Sequence, residues 1–201
     1  FPYTTLFRSP TGSGKTTLLY SALAAVDCYG LNVITIEDPV EYTFVGITQV
    51  QVTPRLSMND ALRTILRQDP DIILLGEVRD AESASLCFQA ASTGHLVLSS
   101  LHANNAKEAA ARLNTLGVNS NLIRSCLRFT SAQRLLPKLC LGCRIQITDT
   151  EMPTSDGHFY KRNPNGCEKC HNGASGRSLI LEFIEWKSTS NLEPNYSPTL
   201  K

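Results

Sequence analysis

The sequence has 201 residues, 42% hydrophobic and 18% charged, with 19 Lys and Arg against 18 Asp and Glu for a formal charge of +1. That is the size and composition of one soluble globular domain and a little more, and so small a net charge excludes non-specific capture of nucleic acid or anionic lipid. No run of about 18 apolar residues occurs, and the start lacks the basic, apolar and small-residue regions of a secretory signal, so the chain reads as cytosolic with no membrane span.

In chain order, residues 1–9 (Phe-Pro-Tyr-Thr-Thr-Leu-Phe-Arg-Ser) resemble the translation of a sequencing adaptor, and the native sequence is expected to begin near Pro10. The alternative is a segment leading into a strand, since 3–7 has the propensity for one. Residues 15–29 carry Leu18, Leu19, Ala22, Leu23 and Val26 at helical spacing, with Gly30 as the stop. A β-branched strand is expected over 33–36. Ser57-x-x-Asp60 opens a helix over 57–67 that ends before Pro70. Strand 72–75, bounded by Asp71 and Gly76, precedes a helix over 81–93, a strand over 96–99 and a helix over 106–116. Fully apolar strands separated by helices predict an α/β fold with a parallel sheet covered on both faces. The expected division is 1–9, a nucleotide-binding α/β domain over 10–136, a cysteine-bearing module over 137–187 and a frayed tail over 188–201.

Pro10-Thr11-Gly12-Ser13-Gly14-Lys15-Thr16-Thr17 runs straight into the first helix. Backbone N–H groups of such a Gly-rich turn point inward at a phosphate, the helix N-terminus adds its positive end, Lys15 reaches the β and γ oxygens, and Thr16 ligates Mg²⁺. The P-loop pattern GxxxxGK[ST] wants its first Gly at position 9, where this sequence has Ser9. A Cβ there weakens a turn that requires positive φ. Glu37, Asp38 and Glu41 lie just past one strand, and Gly76-Glu77 follows another, where α/β sheets place their ligands. Glu77 stands where a P-loop ATPase needs a carboxylate near Mg²⁺ or the attacking water, and Gly76 replaces the usual Asp. His95 and His102 flank the third strand, and either imidazole is a candidate sensor of a γ-phosphate. His158 and His171 read as ordinary polar residues.

Together these segments resemble the secretion ATPase superfamily. Residues 10–17 are similar to its Walker A motif, 35–41 (Thr-Ile-Glu-Asp-Pro-Val-Glu) to its Asp box, 66–80 to its Walker B motif and 93–103 to its His box. The Gly-Glu ending of the third is a family hallmark, and the resemblance covers about 10–187. Cys140-Leu141-Gly142-Cys143 and Cys167-Glu168-Lys169-Cys170 enclose a 23-residue loop. Two CxxC knuckles of this kind present four thiolates to a structural Zn²⁺, the alternatives being a redox pair or buried thiols. Cys28, Cys87 and Cys126 fall in helical segments and read as small core residues. Gln133-Arg134-Leu135 and Gly176-Arg177, flanking the two knuckles, resemble the branch that serves type II secretion and type IV pilus assembly; the short link from Cys170 to Gly176 departs from it.

The resemblance implies a bacterial ATP-hydrolysing ring hexamer with a RecA-like domain, whose closure over ATP moves a platform protein of the inner membrane. It would be cytoplasmic and bound to that membrane through partners. Pro10, Thr11, Gly12, Ser13, Gly14, Lys15, Thr16 and Thr17 would form the nucleotide cradle with Mg²⁺ on Thr16. Glu41 would activate water, Glu77 would hold the Mg²⁺ water shell, the two being open to exchange of roles, and His95 or His102 would sense the γ-phosphate. Activity is expected of the parent protein rather than of this segment alone. A non-catalytic nucleotide-binding module, or a small-molecule P-loop kinase, are the alternatives; the kinase would need a lid and an acceptor pocket, for which no signal is present.

Overall fold

A computed structural model describes residues 14–26, 28–103, 105–147 and 159–186, with the backbone course of 3–8 and 195–196. The elements are β1 (Tyr3–Arg8), α1 (Lys15–Ala24), β2 (Val33–Glu37), β3 (Thr48–Gln51), α2 (Met58–Ile65), β4 (Ile72–Val78), α3 (Ala81–Ser92), β5 (Leu96–Leu101), α4 (Glu108–Thr115), α5 (Ser120–Cys126), β6 (Leu127–Leu139), β7 (Ile145–Gln146), β8 (Tyr160–Lys161), β9 (Ala174–Glu185) and β10 (Asn195–Tyr196). Eight of these strands form one sheet in the order β10-β9-β6-β1-β5-β4-β2-β3. From β6 to β3 all neighbours are parallel, as the apolar strands predict.

Alternation along the strands feeds two cores. Ile34 and Ile36 of β2 and Ile73 and Leu75 of β4 turn to one face, where Leu62 and Ile65 of α2 and Phe88 of α3 cover them. Val33, Ile72, Leu74 and Leu98 turn to the other face, against Leu19, Tyr20 and Leu23 of α1. Phe88 is 1% exposed, so Phe88→Ala is expected to lower unfolding stability by about 3–5 kcal/mol through the cavity it leaves, read as a shift in a denaturant midpoint.

Local chemistry sets the ends. Ser57 Oγ accepts from Asp60 N at 3.1 Å, so the predicted cap starts α2. Asp80 caps α3 by accepting from Ser83 N at 2.8 Å, and that backbone donor holds its carboxyl below the ordinary range. The first helix is shorter than its apolar pattern predicts: it stops at Ala24, and Val26 N–H bonds Leu23 O in a tightened last turn. Cys28 therefore lies beyond the helix rather than within it, whereas Cys87 and Cys126 are buried in α3 and α5 as expected. β4 does not stop at Gly76; it continues to Val78 through a register shift after Leu75. Tyr3–Arg8 forms a strand between β5 and β6, and Asn195–Tyr196, within the expected tail, pairs antiparallel with β9.

Among the described residues the chain divides into two units, one up to Arg134 and again from Leu181, the other Leu135–Ile180. In the first, Trp186 returns to the core: its Nε1 donates to Thr130 Oγ1 at 2.9 Å, and Thr130 Oγ1 donates to Ala106 O at 2.9 Å. The second holds the β7–β8 ribbon and the four paired cysteines. No helix among the described residues is long and apolar enough to cross a membrane.

Candidate active site

A cavity of about 760 Å³ opens at the C-terminal ends of the parallel strands, the end at which open α/β sheets take their ligands. Gly14, Lys15, Thr16 and Thr17 line one side. Gly14 caps α1 at φ 88°, a left-handed conformation that favours glycine, and a Cβ there would stand 2.7 Å from Gln133 Nε2, which would have to move. Pro10, Thr11, Gly12 and Ser13, with Ser9 before them, lie outside the described residues, as does His158.

Glu41, Glu77 and Asp38 line the same cavity. Glu41 Oε1 accepts from Thr16 Oγ1 at 3.3 Å. Glu77, near the end of β4, accepts from Arg79 Nε at 2.8 Å and pairs with His102 Nε2. Arg79 Nη1 lies 3.5 Å from Asp38 Oδ2, so one guanidinium links the ends of β2 and β4, and its bond to Glu77 raises its pKa. Gly76 has a packing reason: a Cβ there would lie 3.3 Å from Ile36 O, so the position that elsewhere holds an Asp is pressed against β2. Ser100 Oγ donates to Gly76 O at 2.7 Å and fixes the bend before Glu77.

The two histidines separate. His102 follows the C-terminal end of β5 and lines the cavity beside Glu77. His95 precedes β5 at its other end, where Nδ1 lies 2.8 Å from Ala90 O and 3.1 Å from Thr93 Oγ1. It secures the exit of α3 and is not brought to the site. His171 makes a turn with Ala174 in the second unit.

The cavity also contains residues that the motifs did not single out: Tyr20, Arg79, Ser100 and Arg112. For Tyr20 the signal is its place four residues after Thr16, hence on the same helix face. Glu37 is 3% exposed and ends β2; the Tyr20 hydroxyl donates to its Oε2, while Thr35 Oγ1 and Gln49 Nε2 donate to Oε1 at 2.6 and 3.1 Å. Burial and the Glu37 carboxylate push the Tyr20 phenol up to about 12, so it stays a donor at neutral pH.

In the second unit the sulfurs of Cys140, Cys143, Cys167 and Cys170 all lie within 4.8 Å of one another. The pairs Cys140–Cys167, Cys143–Cys170 and Cys167–Cys170 are 3.7, 3.6 and 3.7 Å apart. Four thiolates held tetrahedrally at about 2.3 Å from Zn²⁺ have S···S edges of about 3.8 Å, so the cluster fits that ion. Each knuckle turns on a backbone bond, Cys143 N to Cys140 O at 3.3 Å and Cys170 N to Cys167 O at 3.1 Å. Against desolvation, the Cys167 N–H donates to the Cys170 sulfur and, with the neighbouring thiols, brings that thiol to about 7.

Comparison with known proteins agrees with this geometry. The family model described as type II/IV secretion system protein matches residues 3–193. Type II secretion system protein HxcR of Pseudomonas aeruginosa is 48% identical over 182 residues, 89% of this chain and 36% of that protein. The type IV pilus assembly ATPase PilB of the same organism is 42% identical over 193 residues, 90% and 34%. The solved structure of the pilus retraction motor PilT with bound ADP superposes with TM-score 0.68 and 30% identity over 94% of this chain and 48% of that one. The Legionella pneumophila ATPase DotB, at 24% identity and TM-score 0.66 over 92% and 46%, shares the fold. The chain thus spans between about a third and a half of the length of these relatives, and by the match to the family model over residues 3–193 it belongs to the type II/IV secretion system protein family.

Proposed function

We propose that this chain is the nucleotide-hydrolysing part of an ATP-driven motor subunit for type II protein secretion or type IV pilus assembly. The observation that carries the reading is the convergence of Lys15, Thr16, Glu41, Glu77 and His102 on one cavity at the strand ends. Bound ATP with Mg²⁺ supplies the phosphoanhydride and the cation that neutralises its charge. Lys15 and the first N–H groups of α1 hold the phosphate oxygens, and the Thr16 hydroxyl is the Mg²⁺ ligand. Glu77 Oε2 accepts from Arg79 and its Oε1 faces His102 Nε2, whereas Glu41 meets the Thr16 hydroxyl. That division favours Glu41 as the acceptor of the water proton and Glu77 as the group that orients the Mg²⁺ water shell. His102, just past β5 with its Nε2 beside Glu77 Oε1, is the γ-phosphate sensor. The subunit works in a homo-hexamer at the cytoplasmic side of the inner membrane and pushes a platform protein there.

The test is ATP turnover by the full-length protein as a function of chain concentration. Specific activity that rises on assembly supports the motor; absence of turnover at every concentration refutes it.

We also propose that the four cysteines hold one structural Zn²⁺, because their spacing matches a tetrahedral thiolate set. Metal analysis of the purified protein is expected to find about one Zn²⁺ per chain. Cys140→Ser is expected to lose it and to loosen the 135–180 unit, seen as faster proteolysis there; unchanged metal content and protection would refute the site.

A further inference from the structure

The loop that carries Glu41 is tied down at four points. Val40 N donates to Gln51 Oε1 at 3.4 Å, Glu41 N to the Tyr20 hydroxyl at 3.4 Å, and Phe44 N to Gln49 Oε1 at 2.8 Å, while Gln49 Nε2 donates to Tyr42 O at 2.9 Å. Three of these ties come from β3, the strand next to β2. The fourth comes from Tyr20, on the helix that presents Lys15 and Thr16 to the cavity.

Tyr20 is placed to do more than fill space. It is 5% exposed, its hydroxyl donates to buried Glu37 and accepts from Glu41 N–H, and its ring meets Tyr42 and Phe44 edge-on at 5.0–5.9 Å between centroids. Glu37 is held in turn by Thr35 and by Gln49, the residue that clamps the far side of the loop. The Tyr20 hydroxyl is therefore where the helix carrying the phosphate-binding groups and the loop carrying Glu41 share one hydrogen-bonded hub.

We propose that Tyr20 is a positioning residue for hydrolysis, which through Glu37 and the Glu41 backbone sets the Glu41 carboxylate in register with Thr16. The inference rests on Glu41 as the water-activating group. Burying a carboxylate is costly unless every oxygen is bonded, and both oxygens of Glu37 are taken up by Tyr20, Thr35 and Gln49, which makes it the anchor of the hub. A carboxylate displaced by about 1 Å from the attacking water costs on the order of 100-fold in rate while leaving the phosphate contacts intact.

The experiment compares Tyr20→Phe, Gln49→Met and Glu41→Gln in the full-length protein, reading ATP turnover, affinity for a fluorescent ADP analogue and thermal melting. Tyr20→Phe keeps the ring and removes only the hydroxyl. It is expected to lower kcat by roughly 10- to 100-fold with KM and analogue affinity within about twofold, and Gln49→Met, which cuts two of the three ties from β3, is expected to show the same split. Adding Glu37→Gln to Tyr20→Phe is expected to cost little more, since both act through one hub. Unchanged kcat in Tyr20→Phe beside an inactive Glu41→Gln overturns the inference alone. Parallel loss of turnover, affinity and melting temperature in both Tyr20→Phe and Gln49→Met marks a purely structural role and also overturns it. Normal turnover by Glu41→Gln overturns the role of Glu41 and the inference with it.

Discussion

Lys15→Ala is expected to abolish ATP turnover in the full-length protein and to weaken nucleotide binding by 10-fold or more, about the value of one charge-assisted bond to phosphate. Lys15 is the first residue of α1, immediately after a left-handed Gly14, so its ammonium and the first N–H groups of the helix converge on the same cavity. Four carboxylates, Glu37, Asp38, Glu41 and Glu77, line that cavity. Without the lysine they repel a polyphosphate with less opposing charge, and the stabilisation of charge developing on the transferred phosphoryl group is lost as well. Binding titrations with a fluorescent nucleotide and phosphate-release assays check both halves. Release at the unsubstituted rate would remove the phosphate-binding role.

Glu77→Gln is expected to separate binding from chemistry. The substitution keeps volume and leaves an oxygen able to accept from Arg79, but removes the charge that Arg79 and His102 now balance. The donors of Arg79 and His102 are then left facing the cavity, so nucleotide affinity is expected to hold or rise while turnover falls by about 100-fold or more, the scale of misplacing groups around the reacting phosphoryl. The same two assays read the result. A variant that hydrolyses normally, or one that loses affinity and turnover in proportion, would show that Glu77 neither orders the Mg²⁺ water shell nor acts in the chemical step.

The strand and helix pattern announced most of this architecture because the core strands are almost wholly apolar, as at Ile72 to Leu75, and because the Ser57 cap has unambiguous chemistry. Short or half-exposed elements escaped. β3 is four residues of Thr and Gln around one Val at the sheet edge, and its character comes from pairing with β2 rather than from its own sequence. At the site, the sequence singles out Lys15, Thr16, Glu41, Glu77 and His102 as candidates because each follows a strand or helix end that the pattern locates, and the structure brings the five to one cavity. His95 looked equivalent to His102 in sequence; the polarity of β5 puts them at opposite ends. The contacts of Tyr20 and Gln49 with the loop that carries Glu41 escape the sequence because they depend on which loop folds over them, a tertiary fact with no local signature.

The place of β1 has a consequence for how the sheet tolerates change. Tyr3 to Phe7 pair with Leu96 to Ser100 on one side, and Thr4 to Arg8 pair with β6 on the other. The slot is defined on both sides by main-chain donors and acceptors, which recognise an extended backbone and not a particular sequence. Many six-residue segments are therefore admissible occupants. An empty slot is not: it would leave two facing rows of unpaired amide and carbonyl groups through the middle of the domain, open to capture of a strand from another molecule. Removing the strand over 3–8 is thus a route to domain exchange and aggregation, while replacing it with a different strand-forming sequence is compatible with the fold.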